Sequence, residues 1–147
     1  MRMEHPAPRP PGHDDPATAR PDHATDAGHR GHAVSRDHLV TGDLAARAAP
    51  AERMEMHRVT LPPGTVAGRH THPGGVAGYV TEGRVVFELE GRPACELGAG
   101  SAFFEPPGAT VLRFDNASDS LPATFVAWYP LAGDEPLLQP LPGPAAP

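Results

Sequence analysis

Large apolar residues are nearly absent at the start of the chain and become regular near residue 52. Over residues 1–37 only Met1, Met3 and Val34 are large and apolar, and they stand among six prolines and five histidines. Such a segment cannot bury enough surface to offset the entropy lost on ordering, so a disordered tail is predicted there. Residues 38–52 are transitional. Leu39, Val40 and Leu44 suit an edge strand or a short helix, and 45–49 a helical turn that ends at Pro50. Beyond this point the pattern is one of short strands punctuated by Gly and Pro. Residues 54–61 alternate and stop at Pro62-Pro63-Gly64, 65–72 are closed by Pro73-Gly74-Gly75, and 76–81 end at Glu82-Gly83. Val85, Phe87 and Leu89 alternate with Val86, Glu88 and Glu90, the signature of a half-buried strand. Further strands are expected at 94–97, 102–105, 110–115 and 123–129. About eight strands without helical periodicity predict an all-β sandwich or barrel. The β domain is placed at 53–130. A Pro-rich C-terminal segment follows at 131–147, which only Leu131, Leu137, Leu138 and Leu141 can dock.

Composition sharpens this division. With 147 residues the chain suits one domain. Of its 20 prolines, seven lie in the first 50 residues and six in the last 18, which assigns the remainder and the intervening glycines to strand corners. The net charge is −6, all twelve basic residues are Arg, and no basic stripe exists, so nucleic-acid binding is not expected. No run approaches the ~20 apolar residues of a membrane span. The first residues carry no apolar stretch behind their charge, so no secretory signal is expected. The single Cys95 fits a reducing compartment, and a cytoplasmic protein is expected. The histidines of the tail lack regular spacing and are read as solvated. The Arg-only, Ala/Pro/Gly-rich usage points to the coding bias of a GC-rich bacterial genome.

Chemistry concentrates at His70-Thr71-His72. Side chains alternate along a strand, so both imidazoles face one side and can converge on one ion. Gly64 lies before His70 with five residues between, and Gly78-Tyr79-Val80-Thr81-Glu82-Gly83 closes the unit. A second unit runs from Gly100 through Pro106 and Gly108. These two units resemble the two sequence motifs of the cupin superfamily, in a small single-domain form. The resemblance implies a small jelly-roll β-barrel. It also implies that metal-binding members use three histidines and a glutamate, with oxygenase- or isomerase-like chemistry. This chain departs from that set. The glutamate position falls on Val76, the third histidine on Val111, and the asparagine on Asp115 or Asn116. Two imidazoles alone make a weaker site than three or four ligands.

Other side chains could complete the set. His57 joins Val59 and Leu61 inside if the odd-numbered residues of its strand face inward. Glu105 and Glu88 offer carboxylates, but no motif supports any of the three. Val76, Phe87 and Val111 are expected to line the pocket. Phe103 and Phe104, being adjacent, face opposite sides of their strand. Two functions follow: a cupin holding a divalent metal at His70 and His72 and acting on a small organic ligand, or a metal-free cupin that binds a small molecule or serves for dimerisation. A homodimer is expected in either case, because a small barrel has edge strands to cover.

Overall fold

The structure is a computed structural model that describes residues 34–143. Except for residues 34–37, the predicted tail and its histidines lie outside the described residues. Nine strands form among those described: β1 (Arg53–Leu61), β2 (His70–Thr71), β3 (Val76–Glu82), β4 (Arg84–Leu89), β5 (Cys95–Gly98), β6 (Ala102–Glu105), β7 (Thr110–Asn116), β8 (Ala123–Leu131) and β9 (Gln139–Pro140). They build two antiparallel sheets, ordered β1-β8-β3-β6 and β5-β4-β7-β2-β9. The chain passes repeatedly between the sheets, and the expected all-β jelly roll is the fold that forms. The two ladders remain separate and do not join into one closed barrel.

Alternation decides what each strand buries. In β8, Ala123, Phe125, Ala127, Tyr129 and Leu131 are all buried, while the residues between them are less so. β1 pairs with β8 from Arg53↔Leu131 to Leu61↔Ala123. Its odd-numbered residues are the more covered, and Met54 and Met56 point to solvent. Phe103, Phe114 and Phe125 meet in the core with ring centroids 4.8–5.8 Å apart, in tilted and edge-on arrangements that suit the aromatic quadrupole. Phe103 is buried in this core. Its neighbour Phe104 faces the other way against Gly42, where a Cβ would fall 2.2 Å from the ring.

Three segments differ from expectation. The strand predicted at 65–72 shrinks to His70–Thr71, because Gly64 and Gly68 take left-handed backbone angles (φ +69° and +75°) that an extended strand cannot contain. The loop is held instead by β7: Asn116 N donates to Thr65 O, and Ala67 N donates to Asp115 Oδ1. Residues 38–52 form turns, neither a helix nor an edge strand, and are tied to β8 by Glu52 N, which donates to Leu131 O at 2.8 Å, and by one buried side chain. The buried Arg47 guanidinium donates to Gly74 O and Pro130 O, both at 2.7 Å, and to Glu135 at 2.9 Å. Finally, β8 continues through Leu131, and the C-terminal segment adds β9 to the edge of β2.

Asn116 fixes the loop that leads to the two histidines. Its side-chain amide reaches Leu61 O, Pro62 O and Leu121 O at 3.1, 3.0 and 2.8 Å, and its Oδ1 accepts from Ser118 N. Replacing it leaves several carbonyls without a donor. Asn116→Ala is expected to lower unfolding stability by about 3 kcal/mol, measured by urea denaturation, and Asn116→Asp by a similar amount because it cannot donate.

Candidate metal centre between the sheets

Between the inner sheet faces lies a cavity of about 280 Å³. Its wall is aliphatic and aromatic, with Val59 and Leu61 of β1, Val76 of β3, Phe103, Phe114 and Phe125 among its members. Only His70, His72, Glu105 and Tyr129 bring polar atoms to it. His70, His72 and Glu105 are all buried, and one ligand atom from each lies within 4.8 Å of the others, a grouping that can hold a metal ion.

The hydrogen bonds around this group set its chemistry. His70 Nδ1 lies 2.9 Å from Gly68 O, and His72 Nδ1 bonds Leu137 O. A carbonyl can only accept, so both Nδ1 atoms carry protons; in neutral imidazoles both Nε2 atoms then present lone pairs. A backbone acceptor behind a ligating imidazole fixes tautomer and ring orientation in metal sites. The rings stand nearly perpendicular, 5.1 Å apart. His72 Nε2 lies 3.1 Å from Glu105 Oε2, yet that buried oxygen has no aligned hydrogen-bond partner. A lone pair facing a buried anion is unfavourable until a cation stands between them, either a proton or a metal ion. The donor set therefore fits a divalent metal. Tyr129 packs on His72 with ring centroids 5.5 Å apart, and burial, helped by the charge of Glu105, pushes its hydroxyl pKa up to about 12. At neutral pH it is a donor.

The position of Glu105 has a simple origin. Val76, where the motif's glutamate was expected, pairs directly with Glu105 across β3 and β6. Opposed residues on neighbouring strands project to the same side. A carboxylate lost from β3 is thus present on β6, at the same level of the sheet. The third histidine position has no such replacement: Val111 pairs with His70, is wholly buried, and belongs to the core without lining the cavity. Phe87 does not line it either. It packs against Phe103 and Phe114 and borders a separate groove with Val40 and Cys95. His57 turns edge-on to Tyr129 and pairs with Glu55 at 3.0 Å, outside the triad. Glu88 pairs with Arg113 in the β4–β7 register and also stands apart. Alternation alone does not distinguish these residues, and nothing in the sequence singles out Tyr129 from its strand.

A sequence model described as the cupin domain matches residues 57–129. Among solved structures, a cupin-like protein from Thermotoga maritima aligns at 25% identity with a TM-score of 0.52, covering 60% of this chain and 64% of that one. A DMSP lyase from Ruegeria pomeroyi aligns at 22% identity and TM-score 0.51, covering 63% and 44%. An oxalate oxidase aligns at 23% and 0.51, covering 60% and 46%. The chain spans less than two thirds of each of these proteins, and the last two likenesses concern fold alone. No curated protein matches the sequence.

The C-terminal segment is part of the site. Leu137 and Leu138 line the cavity, and Leu137 O receives the His72 proton. The segment is tied at both ends. Glu135 accepts from Arg47 and from Ala132 N, and Leu141 N donates to Arg69 O at 2.9 Å. Backbone carbonyls carry no residue-type signal, so the role of Leu137 was invisible in the sequence. Glu135→Ala removes the first tie. It is expected to raise amide exchange at Leu141 roughly tenfold or more while Val80, in the core, keeps its protection.

Proposed function

The chain belongs to the cupin superfamily, and from that premise we propose that His70, His72 and Glu105 hold a divalent metal ion facing a small organic ligand. The observation that carries this reading is His72 Nε2 facing an orphaned Glu105 oxygen in a buried site. Two imidazoles and a carboxylate form a three-ligand set of the kind that leaves positions open for water or substrate. Imidazole suits zinc, copper, iron or nickel. Bound there, the ion would supply Lewis-acid chemistry, with oxygenase- or isomerase-like reactions the expected class. The protein's own contributions are the apolar wall and Tyr129, whose ring packs on His72 and whose hydroxyl stays neutral.

A second reading has its own support. A proton placed between His72 and Glu105 would also satisfy both, leaving a metal-free cavity that binds an apolar small molecule. In either case a homodimer and a cytoplasmic setting remain the expectation. The exposed Met54 and Met56 on the outer face of β1 offer apolar surface for pairing.

Elemental analysis of untagged full-length protein, compared with the His70→Ala/His72→Ala double variant, separates the readings, since tail histidines contribute equally to both. The wild type is expected to hold about one more metal ion per chain than the variant; equal contents would sink the metal reading. Glu105→Val is expected to weaken binding roughly tenfold or more, and Val76→Glu in that background to recover part of the loss, because position 76 faces the same site.

A further inference from the structure

The charges around the cavity restrict what can enter it. No Arg or Lys lines the wall. Three arginines are committed elsewhere: Arg69 to Glu90 and Pro142 O, Arg113 to Asp115, and Arg47 to Gly74 O, Pro130 O and Glu135. Among the described residues that line the cavity, Glu105 is the only one whose side chain is acidic, and none is Arg or Lys. A divalent ion held by two neutral imidazoles and this one carboxylate keeps a single net positive charge. One anionic oxygen neutralises it. A second negative charge would remain unpaired against phenylalanine and valine, which is costly away from water.

Size and shape add to this limit. The cavity measures about 280 Å³, against the ~150 Å³ that is enough to take up benzene. Phe103, Phe114, Phe125 and Tyr129 border the same space, offering ring edges and faces to a planar body. We infer that the ligand is a neutral or singly anionic oxygen donor carried on an apolar body about the size of a substituted ring, and that dicarboxylates are disfavoured. This rests on the metal reading above and adds to it the chemical class of the ligand.

The test uses full-length protein loaded with Co(II), whose visible absorption reports ligands entering the metal's surroundings, with the His70→Ala/His72→Ala variant as reference. Three probes are titrated: benzohydroxamate, acetohydroxamate and oxalate. The first two share a singly anionic head and differ in the ring; the third is a small dianion. Benzohydroxamate is expected to bind roughly ten- to a hundredfold more tightly than acetohydroxamate, the gain from burying a ring, and more tightly than oxalate. Leu138→Arg adds a cation at the half-exposed rim of the cavity, so the variant tolerates the charge. It is expected to shift the preference toward oxalate about tenfold. Oxalate binding as well as benzohydroxamate in the wild type, or no gain from the ring, would overturn the inference while leaving the metal site intact. Failure of Co(II) to bind beyond the double variant shows before any probe is added, and refutes the metal reading together with the inference built on it.

Discussion

An ionised carboxylate buried among phenylalanines and valines needs a positive charge beside it, and the interior of this molecule is arranged around that requirement. Among the described residues no arginine pairs with Glu105; His72 Nε2 lies 3.1 Å from its Oε2, and His72 Nδ1 donates to Leu137 O. When both imidazoles are neutral their Nε2 atoms are acceptors, and the triad then takes up one cation, a proton or a metal ion. Gly68 O orients His70, Leu137 O orients His72, and the β3–β6 ladder places the backbone of Glu105 opposite Val76.

That framework draws on distant parts of the chain. Arg47 ties the segment before β1 to the ends of β8 and to Glu135, and Glu135 steadies the strap that carries Leu137. Asn116, at the end of β7, secures the loop before His70 from the other side. The site thus depends on hydrogen bonds that cross 54 to 88 residues of sequence. Most of these bonds run from side chains to backbone carbonyls, and one runs from Arg47 to the Glu135 carboxylate. The small glycines at 42 and 74 allow the close approaches that the outer segment needs.

The cavity's character comes from what surrounds the triad. Aromatic rings from β6, β7 and β8 and aliphatic side chains from β1 and the strap enclose it, and low polarity strengthens every electrostatic interaction inside. A charge imbalance of one unit therefore weighs heavily on which ligands are admitted. The same enclosure keeps the Tyr129 hydroxyl protonated far above neutral pH, so the one hydroxyl in the wall acts as a donor.

Local rules were enough for most of the fold. Period-two alternation located β1, β3, β4, β6, β7 and β8 to within a few residues, and the Gly and Pro corners separated them, because strand burial and turn geometry are decided by neighbours in sequence. The same alternation put His70 and His72 on one face. It could not reveal that Glu105 stands opposite Val76, that Phe87 packs against other phenylalanines away from the cavity, or that Val111 lies beneath it in the core. Nor could it show that the Pro-rich end returns to pair with β2 and to orient His72 through a carbonyl. The sequence by itself determined the strands, their corners and the paired imidazoles. Only the tertiary structure decided the third ligand and the wall around it, since cross-strand register and the return of the C-terminal strap bring together residues that share no sequence neighbourhood.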